Sequence, residues 1–340
     1  MKIWHLPIER IPTRYSYDWT EQFEMEFQNN QIDYQTIGDN LIRPVRIGSV
    51  LDVYETSKYK FKQLNEVIHL IETKSIKGGD IVLLADGWFP GLEALYYIRA
   101  ITKVNFLIAA IWHAGSYDSH DFLNRFGMRD WALHQELAWF TGIDIIFVAT
   151  EFHKQLLISN SGEFDIKKIF VTGLPFYSKS LSEKYTTNNT KENIIIFPHR
   201  LDSEKNPNKF DALAERFSQT HPDWKFVKTL EVTSSREAYF KLLEKSKFMI
   251  SFAEQESFGY STLEAMALGV RPIVPNKLSY PETVPEQYRY TDENEVDALI
   301  IKHMNEGMSP EFNLTKWEFS ITNMIEIMKN KSNDYNCNNI

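Results

Sequence analysis

Short apolar runs alternate with longer amphipathic segments along most of this chain. In the first half the pattern predicts strands over residues 3–6, 81–85, 106–111, 145–149 and 169–172. Amphipathic stretches between them predict helices over residues 49–73, 91–101 and 129–141. This alternation is typical of βαβ units, and it predicts an α/β fold with parallel sheets.

The same alternation begins again in the second half. It predicts strands over residues 194–198, 225–229, 248–252 and 271–275, and helices over residues 207–219, 235–245, 262–268 and 293–306. The intervening stretch is rich in Ser, Thr, Asn and Lys. The predicted organisation is an N-terminal domain over 1–176, a linker over 177–193, a C-terminal domain over 194–312, a helix over 313–328 that packs toward the N-terminal domain, and a frayed tail over 329–340.

Two doubly wound domains in tandem place two rows of strand ends across a cleft, where ligands of open α/β sheets bind. The 340 residues are 43% hydrophobic, which excludes disorder over most of the length. A net charge of −9 excludes a strongly basic nucleic-acid coat protein. The single cysteine, Cys337, excludes a disulfide framework. The lone cysteine fits a reducing, cytoplasmic compartment. No apolar run approaches the roughly 20 residues of a membrane span, so we expect a soluble protein without a membrane anchor.

Residues 252–269, FAEQESFGYSTLEAMALG, join a predicted strand to a predicted helix. Glu256 and Glu264 are separated by seven residues, with a turn around Gly259 between them. A helix N-terminus offers unpaired N–H groups to a phosphate, and carboxylates accept hydrogen bonds from the hydroxyl groups of a sugar. The alternative is that Ser261 or Thr262 merely caps the helix and that Glu264 is solvated.

The segment HRLDSEKN follows the predicted strand at 194–198 and carries Arg200 and Lys205. Two cations in a loop at the end of a strand could clamp a diphosphate. The alternative is an ordinary exposed loop in which Glu204 offsets the charge.

Together, HRLDSEKN and ESFGYSTLEAMALG resemble the retaining GT-B-fold glycosyltransferases that carry the E-x(7)-E motif, the family 4-like group. The resemblance covers residues 194–281, with Ser257 where Gly is usual. It implies two Rossmann-like domains that face each other. By analogy Arg200 and Lys205 hold the diphosphate, Glu264 the ribose and Glu256 the transferred sugar. The remaining donor-site residues that it implies are Ser257, Phe258, Gly259, Tyr260, Ser261 and Thr262.

His113 follows the predicted strand at 106–111 and is similar in position to the family's active-site His, which approaches the donor sugar. The alternative is a buried structural His. Cations interleave with aromatic residues in nearby loops, and Asp86 and Asp118 follow apolar strands. These features give candidate acceptor-binding residues Arg14, Tyr15, Asp86, Trp88 and Asp118, while packing and loop capping are the alternatives.

The resemblance implies a metal-independent, retaining transfer from a nucleotide sugar, with a UDP-sugar expected, by front-face displacement. The opening LPIERIPTRY and the segment HAGSYDSHDF look similar to phage-encoded glycosyltransferases that modify DNA bases. The favoured acceptor is therefore a 5-hydroxymethylpyrimidine in phage DNA. A carbohydrate or small-molecule acceptor, a nucleotide-sugar epimerase and a non-catalytic nucleotide-sugar-binding protein remain alternatives. The sequence does not determine the sugar or the oligomeric state.

Overall fold

The computed structural model describes residues 1–39, 41–42, 52–186, 190–306 and 310–338. The chain divides into two compact units. Unit 1 comprises Met1–Pro175 and Phe319–Ile340, and unit 2 comprises Phe176–Glu318.

Unit 1 is built on a six-stranded parallel sheet in the order β2-β1-β3-β4-β5-β6. Its strands are β1 Lys2–Leu6, β2 Asp33–Thr36, β3 Ile81–Leu84, β4 Leu107–Ile111, β5 Ile145–Val148 and β6 Ile169–Val171. Its helices before unit 2 are α1 Trp19–Asn29, α2 Val53–Glu72, α3 Leu92–Thr102, α4 Phe122–Arg125, α5 Arg129–Gly142 and α6 Glu151–Asn160. The central strand β3 reads IVLL and is buried along its whole length, as expected where helices cover both faces of a parallel sheet.

Unit 2 contains a five-stranded parallel sheet in the order β11-β10-β9-β7-β8. Its strands are β7 Glu192–Phe197, β8 Lys225–Lys228, β9 Ser246–Ile250, β10 Arg271–Pro275 and β11 Arg289–Tyr290. Its helices are α7 Ser178–Tyr185, α8 Pro207–Ser218, α9 Thr229–Val232, α10 Arg236–Lys245, α11 Tyr260–Ala267, α12 Tyr280–Thr283, α13 Val296–Met304 and α14 Thr315–Glu318. The prediction of two parallel α/β sheets is thus confirmed.

The stretch over 177–193 differs from the predicted linker, because α7 lies within it and belongs to unit 2. Ser178 donates its hydroxyl hydrogen to Glu318 over 2.5 Å, which fixes the start of the helix. The ring of Tyr185 packs on that of Phe240 in α10 at 4.8 Å between centroids. These long-range contacts stabilise a helix whose own composition favours a loop. Residues 187–189 of the predicted linker lie outside the described residues.

The C-terminal segment returns to unit 1 as helix α15 Ser320–Asn338. The predicted frayed tail over 329–340 is therefore helical as far as Asn338. Buried Ser332 donates its hydroxyl hydrogen to the carbonyl oxygen of Gly79 at 2.7 Å, and Thr322 donates to Glu26 at 3.0 Å. Residues 339–340 lie outside the described residues, as do residues 49–51, where the long helix of the first half is predicted to start.

None of the helices within the described ranges combines the length and the apolar character needed to cross a bilayer.

His5 lies in β1 with its ring fully buried between those of Phe23 and Phe27, at 5.0 and 5.7 Å between centroids. Neither ring nitrogen has a hydrogen-bond partner among the described residues. Burial lowers the pKa of His5 from 6.5 to about 3, because the charged imidazole would lose its hydration. His5 therefore stays neutral in the folded protein at pH values where the unfolded chain takes up a proton.

We expect His5→Leu to change the pH dependence of stability. As pH falls from 7 to 5, the unfolded chain protonates His5 and the folded chain does not, so this residue costs the wild type about 2 kcal/mol of unfolding free energy. The unfolding free energy of the Leu variant does not fall by this amount between pH 7 and 5, because leucine takes up no proton. Urea unfolding at the two pH values measures the difference. The exposed His69 provides the control as His69→Gln, and equal pH slopes for wild type and His5→Leu would contradict the prediction.

Candidate functional site

The predicted donor-site residues lie at the carboxyl ends of β7 and β9 in unit 2. The loop after β7 leads through a short 3-10 turn, Ser203–Lys205, into α8, and the loop after β9 leads into α11. Backbone and side-chain hydrogen bonds join the two loops. The N–H of Glu254 donates to the carbonyl oxygen of Glu204 at 2.8 Å, and the Asn206 amide donates to the carbonyl oxygen of Phe252 at 2.9 Å.

Lys205 is a buried cation, 6% exposed, at the junction of these loops. Its Nζ donates to the carbonyl oxygen of Gln255 and lies 3.4 Å from Oε2 of Glu256. Two of the predicted site residues, 51 positions apart in sequence, are therefore in contact. The interpretation of Lys205 as part of an ordinary exposed loop does not hold.

Arg200 is placed differently from Lys205. Its side chain is half exposed, with guanidinium nitrogens 3.1 Å from Asp202 and 3.2 Å from Glu204. Carboxylates of its own loop thus offset its charge, as the alternative interpretation of this loop states. The pair with Asp202 is exposed and contributes little to stability, whereas the Glu204 carboxylate is buried, so Arg200 can leave Asp202 for another anion at small cost but not Glu204.

Glu256 stabilises the turn that starts α11. Its Oε1 accepts a hydrogen bond from the N–H of Gly259 at 2.9 Å. Gly259 has φ +85°, a left-handed conformation that disfavours other residues even though a Cβ there would meet only ordinary contacts. Burial alone would raise the pKa of Glu256, but Lys205 and the hydrogen bond from the Gly259 N–H outweigh burial and lower it. The carboxylate is therefore ionised at neutral pH.

Helix α11 begins at Tyr260 with Gly259 as its N-cap residue, and no Gly259 side chain is present to cap it. The interpretation of Ser261 or Thr262 as the helix cap is therefore wrong. Both hydroxyl residues lie inside the first turn. Phe258 is buried, and its ring packs edge-on against that of Trp317 at 5.2 Å, so its side chain belongs to the core.

Glu264 is buried in the second turn of α11, and its Oε1 lies 3.0 Å from Nη2 of Arg236 at the start of α10. The interpretation of Glu264 as a solvated residue is therefore wrong. Sequence reasoning missed Arg236, since no motif marks it and 28 residues separate it from Glu264. The two residues form an ion pair in which the carboxylate is buried and the guanidinium is partly exposed.

The predicted residues of unit 1 form a second group at the carboxyl ends of β3 and β4. His113 Nδ1 lies 3.1 Å from the hydroxyl of Tyr15, and its Nε2 lies 3.3 Å from Oδ1 of Asp86. Lys60 of α2, which sequence reasoning missed, contacts Oδ2 of Asp86 at 2.5 Å and donates to the carbonyl oxygen of Trp88 at 2.6 Å.

Asp86 is the centre of that group. Burial would raise its pKa, but Lys60 and His113 outweigh burial and hold the pKa well below its usual range. The carboxylate is ionised and fixes the position of the His113 ring. A buried structural role alone does not describe His113, because its side chain keeps 13% exposure beside these polar groups.

The other candidate acceptor-binding residues differ from one another in their hydrogen-bond partners and surroundings. The indole N–H of Trp88 donates to Glu136 at 2.9 Å. Asp118 accepts from the N–H of His120 at 2.9 Å, which matches the loop-capping alternative. Arg14 immediately precedes the 3-10 turn that carries Tyr15, and its side chain is half buried.

Within the described ranges, no group of three or more His, Cys, Asp or Glu side chains is arranged to hold a metal ion. Metal-independent chemistry stays a prediction.

Comparison with known proteins finds no protein-family model that matches this chain. The chain is similar to the tRNA-queuosine alpha-mannosyltransferase of Drosophila melanogaster, with 29% identity over 123 residues. That match covers 29% of this chain and spans only about a third of the relative, 33% of its length.

Two solved structures are similar over nearly the whole chain. An alpha-glucosyltransferase in complex with UDP and a 13-mer DNA matches with a TM-score of 0.63 and 11% identity, over 97% of this chain and 100% of that one. The catalytic domain of Starch Synthase IV from Arabidopsis thaliana matches with a TM-score of 0.59 and 12% identity, over 98% and 99%. At these identities the likeness concerns the fold. The predicted GT-B fold class is confirmed.

We expect Lys60→Met to lower the unfolding free energy by about 3 kcal/mol, because it leaves the carboxylate of Asp86 buried without its cation. The double variant Lys60→Met/Asp86→Asn should regain most of that loss, since both charges are then absent. Urea unfolding of the two variants at pH 7 measures this coupling.

Lys62→Met is the matched control, because Lys62 lies on the same helix with a side chain 73% exposed. It should cost less than about 1 kcal/mol. A loss for Lys60→Met no larger than for Lys62→Met would show that the contact with Asp86 does not stabilise unit 1.

Proposed function

We propose that this chain is a glycosyltransferase that moves a sugar from a nucleotide-sugar donor to a hydroxyl group of an acceptor. The observation that carries the proposal is the cluster of Lys205, Glu256 and Glu264 around the start of α11 in a chain with the GT-B fold. A buried cation and a helix N-terminus suit a diphosphate, and a buried carboxylate suits vicinal hydroxyls.

Each residue takes a role in the donor complex. Lys205 and Arg200 hold the diphosphate, and Arg200 exchanges the exposed Asp202 for the phosphate. Glu264, oriented by Arg236, accepts hydrogen bonds from the ribose hydroxyls. Glu256 contacts the transferred sugar, and its bond to the Gly259 N–H keeps the loop backbone in position. The donor is a UDP-sugar, which agrees with the UDP named in the complex of a structural neighbour.

Transfer with retention of configuration follows a front-face displacement. The bond between the anomeric carbon and the phosphate oxygen breaks, and a bond to the acceptor oxygen forms on the same face. The acceptor proton passes to the departing phosphate, which leaves as UDP. Lys205 and Arg200 stabilise the charge that develops on that phosphate, an interaction that strengthens toward the transition state. By the resemblance, His113, which lies beside Asp86 and Tyr15 in unit 1, is the residue expected to approach the donor sugar. The step requires no metal.

The acceptor in this proposal is a 5-hydroxymethylpyrimidine in DNA. One structural neighbour is named in complex with DNA, and the partial sequence relative is named for a tRNA nucleoside. Both names join a glycosyltransferase to a nucleic acid, and the sequence match to the tRNA enzyme supports a nucleic-acid acceptor, although Starch Synthase IV, a neighbour of similar TM-score, is named for a carbohydrate. A nucleoside in tRNA is the second candidate acceptor, because the partial sequence relative is named for one.

Mass spectrometry of reaction products tests the proposal. The purified chain is mixed with UDP-glucose, UDP-galactose, UDP-N-acetylglucosamine or GDP-mannose, together with hydroxymethylated DNA, plain DNA or tRNA that contains queuosine. A hexose or N-acetylhexosamine mass added to hydroxymethylated DNA alone supports the DNA acceptor, and one added to the tRNA alone replaces it with the second candidate. Proton NMR of the donor incubated without acceptor detects isomerisation, which leaves the mass unchanged, and an isomerised donor indicates an epimerase. Unchanged donor and acceptors in every mixture contradict the proposal.

With the active donor, Lys205→Met should lower the rate of transfer about 100-fold, because it removes roughly 2–3 kcal/mol of charge stabilisation from the departing diphosphate. Arg216→Met is the matched control, since this cation of unit 2 pairs with Asp297 at 2.6 Å. The control should keep its rate. A Lys205→Met rate within threefold of wild type would contradict the role of Lys205.

A further inference from the structure

His199 is a buried polar residue beside the donor-site cluster that the motif resemblance does not assign. It lies between Pro198 and Arg200 in the loop after β7 and is 4% exposed. Its ring packs edge-on against that of Phe197, with 5.2 Å between centroids. The imidazole is thus held in one place by the end of the strand.

The two ring nitrogens of His199 have different surroundings. Nδ1 lies 3.5 Å from the hydroxyl oxygen of Ser261, in the first turn of α11. Nε2 is buried and makes no hydrogen bond to a described residue. Nearly all buried polar atoms in proteins have a partner. A buried nitrogen without one, next to the start of α11 and the cationic loop, indicates a partner that arrives with a ligand.

The charges around the ring limit what that partner can be. Burial, Lys205 and Arg200 lower the pKa of His199 to about 3, against the opposing effect of Glu256. The ring is therefore neutral at physiological pH and carries one N–H. Phosphate oxygens only accept hydrogen bonds, so a phosphate selects the tautomer with its proton on Nε2. The Ser261 hydroxyl can then donate to Nδ1.

We infer that the Nε2–H of His199 donates a hydrogen bond to a phosphate oxygen of the bound nucleotide and so forms a third diphosphate contact beside Lys205 and Arg200. This inference rests on the proposed donor site. The neutral His199 orients the phosphate through a directional hydrogen bond, whereas Lys205 and Arg200 contribute positive charge to the diphosphate site. The contact also supplies the partner that Nε2 lacks in the folded chain.

Calorimetric titration with UDP and with uridine tests the contact. His199→Phe removes the donor and keeps an aromatic ring, so we expect UDP affinity to fall about 10- to 100-fold, the range for a hydrogen bond to a charged group. Uridine has no phosphate, and its affinity should stay unchanged. His199→Gln keeps an N–H donor and should recover part of the UDP affinity. His221→Gln, at a His of unit 2 that stacks on Phe217, is the matched control.

Nitrogen-15 NMR of the histidine rings in the wild type gives a second measurement, which holds even if His199→Phe does not fold. UDP should shift the Nε2–H signal of His199 and fix its tautomer, and uridine should not. If the wild type binds UDP but His199→Phe binds it equally well, or the His199 signals do not respond to UDP, the inference is wrong. If the wild type binds no UDP at all, the proposal of a UDP-sugar donor site itself fails.

Discussion

The contact of buried Lys205 with the loop after β9 is the interaction on which the arrangement at the edge of the unit 2 sheet depends. The ammonium group donates a hydrogen bond to the carbonyl oxygen of Gln255 and lies 3.4 Å from Oε2 of Glu256. Without it, Glu256, whose side chain is 17% exposed, would be a largely buried carboxylate that lacks this cation, which is costly. Since Glu256 in turn accepts from the Gly259 N–H, the ion pair also fixes where α11 begins. One lysine thus connects the charge of the site to the geometry of its helix.

Unit 1 uses the same physical arrangement with other residues. The ammonium group of Lys60 pairs with the carboxylate of Asp86, and the other oxygen of that carboxylate lies 3.3 Å from the His113 ring. This group also lies where parallel strands end. In each unit a buried lysine keeps a carboxylate ionised in a place where burial alone would favour its protonation. The carboxylate then positions a neighbouring group, the turn of α11 in one unit and the His113 ring in the other.

The sequence predicts most buried strands, because runs such as IVLL are buried on both faces and read as continuous apolar segments. It misses β2, whose four residues DYQT alternate between exposed and half-buried positions at the edge of the sheet. It also misses α7, which is fixed by Glu318 some 140 residues away. Contacts of this kind leave no local pattern.

The residues of the candidate site also fall into those that a local sequence pattern reveals and those that only long-range contacts reveal. Motif spacing finds Lys205, Glu256 and Glu264, since each lies just after a strand or in the first turns of the following helix. It does not find Arg236 or Lys60, whose partners lie 28 and 26 residues away on other elements. Nor does spacing show that His199 has one satisfied and one unpaired nitrogen, because that follows only from how Ser261 and Phe197 pack around it.

A crystal structure of the chain with bound UDP tests the central claim most directly. The account predicts the diphosphate within hydrogen-bond distance of Lys205 Nζ at the start of α11, with the ribose hydroxyls on the carboxylate of Glu264. Nucleotide found elsewhere, for example in the cavity lined by Lys209, Lys277 and Tyr290, with Lys205 still bound only to Gln255 and Glu256, would contradict it.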